Sequence, residues 1–525
     1  MPVYDSHGLV FLVLVVAAIL VATALARRAG LPLPIVLLVA GVLLSLTPAL
    51  RDFHLAPEVV ILLFLPALLY WEALTTSLSD IRANLRVVVL ASVVLVLCTV
   101  LTVAWVGHAM GLPWPVAFVL GAVVAPTDAT AVAAVAGRLA HRQLTILRAE
   151  SLVNDGTALV VFAIAVAVAT GERELTWYGP LGDFALSYLG GAAVGLAVAW
   201  MRRAAHRLMQ GVTVAESGLS VLTPFLAFLL AEEIHASGVL AVVVAGLTLS
   251  QYGPRVITAR TRLQTYGFWQ VTTFLLNGAL FVLVGLQLNG AIRDVGGALS
   301  HAVWMALAVA GTVIVTRLVW SYTTPYVIRA LDRRPAQRAR RVGARARLPI
   351  AWSGFRGAVS LAAALAVPAS VSHRNELIIV TFGVILVTLV VQGLTLPAVL
   401  RWARLPADQR LEEEYALATR RSVEAGLLAL PEVAARLGVS AVAADRLAAD
   451  YQAKLSRLSG ETAADADEPD ERVEMDSLRD ALLPVKRAAV VRLRDEHIIS
   501  DAVLLRLQAV LDAEEYRNNP PTTIE

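Results

Sequence analysis

Cysteine is almost absent from this chain: Cys98 stands alone among 525 residues, inside an apolar run. That excludes a disulfide framework and a cysteine-based metal cluster, and it leaves the thiol as buried filler. Charge is also scarce, since Asp, Glu, Lys and Arg make up 16% of the residues against 58% hydrophobic, and mean hydropathy is +0.69. A water-soluble protein needs more polar surface than that, so the composition describes an all-α polytopic membrane protein. The formal charge of +3 and isoelectric point near 9.1 would suit a nucleic-acid partner. The arginines, however, fall in short loops between apolar runs, where they read as topology signals, and no nucleic-acid partner is expected.

Apolar stretches of roughly 17 to 25 residues are long enough to span a bilayer. Thirteen are expected, near 8 to 26, 32 to 48, 57 to 75, 85 to 109, 113 to 137, 143 to 170, 181 to 201, 214 to 232, 236 to 250, 266 to 289, 299 to 328, 349 to 371 and 376 to 402. The first has no basic residue before it and Arg27 and Arg28 after it, the wrong polarity for a cleaved signal peptide. Alternate loops hold twenty arginines: Arg27 and Arg28, Arg82 and Arg86, Arg138 and Arg142, Arg202, Arg203 and Arg207, Arg255, Arg260 and Arg262, and eight from Arg329 to Arg347. The opposite loops hold four, Arg51, Arg173, Arg293 and Arg374. By the positive-inside rule the N-terminus faces out and the C-terminus faces the cytoplasm of a multi-pass plasma-membrane protein, which requires an odd number of spans.

Residues 1 to 403 form the membrane region, and from 404 to 525 the chain turns rich in Glu, Asp, Arg and Ala. Its periodicity is helical, and Leu430-Pro431 and the acidic run Glu461 to Glu471 are expected to break it into pieces, the last from roughly Glu474 to Tyr516. The tail contains no phosphate-cradling glycine loop, so no nucleotide cofactor is expected.

Against this apolar background, Glu150-Ser151-Leu152-Val153-Asn154-Asp155-Gly156-Thr157 stands out. At about 100° per residue, Glu150, Ser151, Asn154 and Asp155 fall within about 140° of one helical face, with Thr157 beside them. An ionisable group in a membrane-spanning helix costs about 3 kcal/mol or more, so the stripe is a functional site by default.

The fifth span is interrupted by Ala125-Pro126-Thr127-Asp128-Ala129-Thr130. Proline removes a backbone donor and disfavours helix in the residue before it, which frees carbonyls at mid-membrane depth. Such backbone is tolerated only inside protein or along a wet cavity. The twelfth span has a counterpart in Ser353-Gly354-Phe355-Arg356-Gly357. Two interrupted segments seven spans apart suggest inverted repeats crossing near a midplane site, with the fifth and sixth spans matching the twelfth and thirteenth.

Two more charges lie in apolar runs, Glu72 in the third span and Arg317 in the eleventh. A buried arginine keeps its proton and needs a carboxylate or carbonyl partner. Glu150 is assigned to Arg317 as a structural bridge, which leaves Asp155 to exchange a proton for a cation, with Ser151 one helical turn earlier and Asn154 adjacent as oxygen donors. Asp128 either caps the second half of its broken helix or faces the site. Glu72 is either a site oxygen or a packing acid. Arg356 compensates crossed helix ends, and Glu232, Glu233 and His235 read as a solvated loop.

These residues carry a family resemblance. Glu150-Ser151-Leu152-Val153-Asn154-Asp155, with Pro126-Thr127-Asp128, Glu72, Arg317 and Gly354-Phe355-Arg356-Gly357, resembles the monovalent cation:proton antiporter-1 family, the NhaP- and NHE-type sodium/proton exchangers, over about residues 8 to 402. The resemblance implies thirteen transmembrane helices as two inverted six-helix repeats, with crossed, discontinuous fifth and twelfth helices. It further implies a core that moves against a dimerisation domain in a homodimer, and the Asn-Asp pair marks electroneutral members, where electrogenic relatives carry Asp-Asp. Residue by residue, Asp155 would be the carrier of Na⁺ and H⁺. Ser151, the Thr127 backbone, Asp128 and Glu72 would add oxygens, Asn154 would hold the site, and Glu150 with Arg317 would form the buried bridge. The fifth-span sequence varies among members and bears on ion choice.

The expected function is electroneutral exchange of cytoplasmic Na⁺, or K⁺ or Li⁺, for external H⁺ in pH and cation homeostasis, with membrane lipid as surroundings and no enzymatic activity. Removing a carboxylate from water disfavours its bare charged form, so cation and proton compete for one side chain. A cation channel lined by Thr127, Asp128 and Asp155 is one alternative, although repeated filter-like carbonyl motifs are missing. An intramembrane aspartyl enzyme using Asp155 and Asp128 is another, although no His and Cys cluster with metal-ligand spacing is visible.

Overall fold

The computed structural model describes residues 6–47, 59–129, 132, 141–172, 179–209, 212–295, 299–331, 343–404, 410–458 and 472–518. The second half of the fifth span, apart from Ala129 and Val132, lies outside the described residues, as do Arg51, Arg138, Arg173, the acidic run and the loop arginines from Arg333 to Arg341. All regular structure among the described residues is helical: α1 (Ser6–Ala29), α2 (Leu33–Leu44), α3 (Ile61–Thr75), α4 (Leu78–Ala83), α5 (Leu85–Ala109), α6 (Trp114–Val124), α7 (His141–Ala169), α8 (Gly179–Leu208) and α9 (Thr213–Glu233). Then come α10 (Gly238–Val256), α11 (Ala259–Val295), α12 (Leu299–Leu331), α13 (Ala344–Trp352), α14 (Ala358–Leu365) and α15 (Arg374–Ala403). The tail adds α16 (Arg410–Leu437), α17 (Ala441–Leu458), α18 (Arg472–Asp495) and α19 (Asp501–Asn518).

Nine helices among the described residues are long and apolar enough to cross a membrane, and α2, α3 and α6 are shorter apolar helices. The expected tenth span, 266 to 289, is the middle of α11, which runs for 37 residues and so extends beyond the apolar stretch at both ends. The two interruptions appear as breaks of helix: residues 125–128 follow α6 without helical structure, and Ser353–Gly357 separate α13 from α14. Where full helices cross, small residues set the approach. A Cβ on Gly285 of α11 would strike the Leu38 carbonyl of α2, and one on Gly41 would strike the Val282 carbonyl.

The membrane helices bury two apolar clusters. One joins α1, α2, α3, α8 through α11, much of α14 and the later turns of α15. The other joins α5, α6, α12, α15 and the later turns of α7. The broken segments lie where these clusters meet, because Ala129, Leu152 and Phe355 belong to the first while Ala125, Ala158 and Ala363 belong to the second.

The tail differs from the sequence expectation at two points. Leu430-Pro431 does not break it, since α16 passes through Pro431. An interior proline costs about 3 kcal/mol or more, but Leu430 and Val433 on either side are buried with Leu447, Tyr451 and Leu478. Burial of each such side chain contributes about 1.5–3 kcal/mol, enough to hold the helix together. The piece expected from Glu474 to Tyr516 is two helices, α18 and α19, and between them His497 takes a left-handed φ of 60°.

The last two helices dock under the membrane region. Asp512 of α19 accepts from Arg262 Nε at 2.8 Å and Nη2 at 2.6 Å, and from Arg487 at 2.8 Å. Asp501 accepts from the Ser77 hydroxyl at 2.9 Å and from the Ser79 amide and hydroxyl at 3.2 and 3.0 Å. Gln508 donates to the Pro254 carbonyl at 3.2 Å. Because the Arg262 guanidinium is buried, Asp512→Ala is expected to cost about 3–5 kcal/mol, while Arg262→Met with Asp512→Leu costs much less. Thermal unfolding of both variants checks this, and equal melting of Asp512→Ala and the parent chain would refute it.

Candidate functional site

The candidate site residues Glu72, Thr127, Asp128, Glu150, Ser151, Asn154, Asp155, Arg317 and Arg356 are all among those described, and most of them meet at the two breaks. Pro126 keeps α6 from continuing, and the carbonyls that follow find other partners. The Thr127 carbonyl accepts from the Ser151 hydroxyl at 2.7 Å, and the same hydroxyl receives the Ala129 amide at 3.4 Å. One turn along α7, Asn154 Nδ2 donates to Thr127 Oγ1 at 2.7 Å. The polar stripe of α7 is therefore bonded directly to the interrupted fifth segment.

The two breaks also bond to each other. The Asp128 amide donates to the Phe355 carbonyl at 2.8 Å. Arg356 Nε donates to the Val124 carbonyl at the end of α6 at 2.8 Å, its Nη1 donates to the Gly354 carbonyl, and its amide donates to Thr388 Oγ1 at 3.4 Å. A fixed cation thus sits at the negative end of α6, where a helix dipole favours positive charge. The opposite charge lies at the opposite kind of end: the Asp128 carboxylate is against Gly357, the residue just before α14, and a Cβ on that glycine would land on Asp128 Oδ2.

Glu150 and Arg317 form an ion pair at 2.5 Å, with both side chains about 95% buried. Arg317 Nε also donates to the Ile350 carbonyl at 3.4 Å, and Gly354 lets the arginine stem pass, since a Cβ there would lie 2.6 Å from Arg317 Cδ. Pairing a buried guanidinium with a carboxylate and carbonyls removes most of the cost of holding it out of water. A small cavity adjoins this pair and is lined by Thr99, Thr127, Glu150, Asn154, Arg317 and Arg356, among others.

Asp155 turns to another side. It is 2% exposed, and its Oδ1, like Asn154 Oδ1, is buried without a hydrogen-bond partner among the described residues. The acids whose charge reaches it are Glu72 of α3 and Asp128 of the broken segment. Glu72 in turn feels Asp128 and Arg148. Among the described residues, no three His, Cys, Asp or Glu side chains gather closely enough to hold a metal ion. What the arrangement offers is one buried carboxyl, two acids within electrostatic reach, and amide, hydroxyl and carbonyl oxygens. Such oxygens suit hard cations, and an unmet buried carboxyl oxygen invites either a proton or a cation.

Two participants carry no signal in the sequence. Ser92, a lone serine in an apolar span, donates to the Glu150 carbonyl at 3.1 Å. Thr388 receives the Arg356 amide from within a π-helical turn, Thr388–Gln392. Their partners are 58 and 32 residues away in sequence.

Residues 14–402 match the sodium/hydrogen exchanger transmembrane family. The chain is 46% identical to an uncharacterised Na⁺/H⁺ exchanger of Mycobacterium tuberculosis, over 99% of this chain and 97% of that protein. It is 31% identical to a sodium, potassium, lithium and rubidium/H⁺ antiporter of Bacillus subtilis, over 70% of this chain and 57% of the other. In fold it is similar to the solved sodium proton antiporter MjNhaP1 of Methanocaldococcus jannaschii, with a TM-score of 0.60 and 20% identity over 76% of this chain and 99% of that one.

The packing at Gly357 can be tested directly. Gly357→Ala is expected to displace the Asp128 carboxylate and to destabilise the protein by about 1–3 kcal/mol, the usual cost of overpacking. Gly311→Ala, where a Cβ meets nothing within 4 Å, should be neutral or stabilising. Unchanged melting of Gly357→Ala would show that the two breaks are not packed this closely.

Proposed function

The chain belongs to the sodium/hydrogen exchanger family, and from that premise we propose that it is an electroneutral antiporter exchanging cytoplasmic Na⁺ for external H⁺ through Asp155. The observation that carries this reading is the Asp155 oxygen that is buried without a hydrogen-bond partner among the described residues, within electrostatic reach of Glu72 and Asp128. A carboxylate left bare in that place is costly, so it crosses loaded, with either a proton or a cation. If only loaded forms cross, one cation leaves for each proton that enters, and no net charge moves.

The contacts support a division of roles. Ser151 and the Thr127 carbonyl would complete the ion's oxygen shell, with Asp128 and Glu72 supplying further negative charge, and Asn154 would hold Thr127 in place. Glu150 and Arg317 would keep α7 and α12 in register, and Arg356 would neutralise the end of α6. Asn154 adds no second ionisable group beside Asp155, which favours one-for-one exchange. Na⁺ is the proposed ion, with K⁺ and Li⁺ as competitors; the Bacillus relative is named for all three.

The same proposal extends to the assembly. Residues 1–403 would form the transporting membrane region of thirteen crossings in two inverted six-helix repeats, with 404–525 as a cytoplasmic tail. The loop arginines favour an outward N-terminus in the plasma membrane. A homodimer serving pH and cation homeostasis completes the reading.

Two measurements in everted vesicles decide it. Asp155→Asn should abolish collapse of a pH gradient on adding Na⁺, K⁺ or Li⁺ separately, while the protein still inserts. Full exchange by that variant would remove Asp155 from the mechanism. Asn154→Asp should make exchange respond to membrane potential, and voltage-insensitive exchange by that variant would overturn the role given to the amide.

A further inference from the structure

A second polar site lies at the helix ends on the loop side that carries most of the arginines. α8 finishes with Arg202, Arg203, His206 and Arg207. Arg202 and Arg203 line a small cleft, open to solvent, between the ends of α8, α9, α10 and α11, with Leu219, Leu249 and Val256 in its walls. Arg203 lies over the Tyr252 ring, 4.7 Å from its centroid. Arg202 has its Nε buried without a hydrogen-bond partner among the described residues. A buried guanidinium nitrogen in that condition is costly, and a phosphate oxygen is its best complement.

The other titratable groups of the cleft leave this charge in place. Glu216 is engaged sideways: its Oε2 accepts from Thr261 Oγ1 at 2.7 Å, and its Oε1 is 3.8 Å from His206 Nδ1. With Arg202 and Arg203 against one carboxylate, the cleft keeps a positive balance.

The surroundings identify the source of the anion. Leu189, Leu196 and Trp200 on α8 are 72%, 51% and 76% exposed, and at about 100° per residue they form one stripe that leads to Arg203. Apolar side chains ending in a tryptophan beside arginines describe a helix face that meets acyl chains and then headgroups. We propose that this cleft binds the phosphodiester headgroup of an anionic membrane phospholipid, with its acyl chains along α8. A basic pocket between helix ends is suited to such a headgroup, and each arginine near the membrane surface adds its own attraction. None of the residues lining this cleft is among those placed around Asp155.

The test uses the full-length protein purified in detergent, with retained lipid counted by native mass spectrometry after incubation with phosphatidylglycerol, phosphatidylcholine or inorganic phosphate. Phosphatidylglycerol should be retained in preference to phosphatidylcholine, and millimolar inorganic phosphate should not displace it. Arg202→Gln with Arg203→Gln should weaken retention about thirtyfold, whereas Arg28→Ala, an exposed arginine on α1, should leave it unchanged. Equal retention of both lipids would overturn the proposal, and so would a double variant that binds as the parent does. Displacement by inorganic phosphate alone would instead make this a free-phosphate site. If the double variant does not fold, the comparison of the three ligands on the parent chain decides by itself.

Discussion

Two segments of this chain leave helical conformation inside apolar protein, and the polar groups they expose have to be met there. Water is not at hand to accept from bare amides or donate to bare carbonyls, so each unmet group would cost several kcal/mol. The observed solution is reciprocal. The Asp128 amide meets the Phe355 carbonyl, Arg356 meets the Val124 and Gly354 carbonyls, and Ser151 meets the Thr127 carbonyl. Neither break is satisfied by its own strand of chain alone, which ties the two together and places α7 beside them.

That arrangement explains why several charges persist in so apolar a protein. Arg356 and Asp128 stand at helix ends of opposite polarity, and Glu150 and Arg317 satisfy one another. Each of these groups is engaged by a contact of opposite polarity. Asp155 is different because its Oδ1 has no such partner among the described residues. The contrast, five residues apart on one helix, is between a carboxylate held by a guanidinium and one whose Oδ1 is left without a partner among the described residues. The tail shows the same economy on the other side of the helices, where Asp501 and Asp512 tie α19 to the ends of α3, α4 and α11.

Much of this was legible in the chain itself, and the reason differs from residue to residue. Glu150 to Thr157 stood out because polar side chains on one face of an apolar helix are costly wherever the helix packs. The break at Pro126 was legible because proline acts on its own backbone, without help from a neighbour. Pro431 shows where such local reasoning fails: its cost is similar in kind, yet burial of Leu430 and Val433 against Leu447, Tyr451 and Leu478 holds α16 continuous. The division between α18 and α19 was missed for a related reason, since the turn at His497 left no glycine or proline to mark it.

The sequence by itself determined the class of protein, its apolar runs, the loop-charge asymmetry, and the presence of one acid stripe and two interrupted segments. These are one-dimensional properties, set by composition and spacing against the fixed cost of placing charge in an apolar medium. Only the tertiary structure decided which carbonyl each donor reaches. It also showed that Asp128 lies against Gly357, that Ser92 and Thr388 support the crossing, and that Arg202 and Arg203 share a cleft with Glu216. Those pairings join residues tens to hundreds of positions apart, and hydrogen bonds depend on distance and angle, which sequence spacing does not encode.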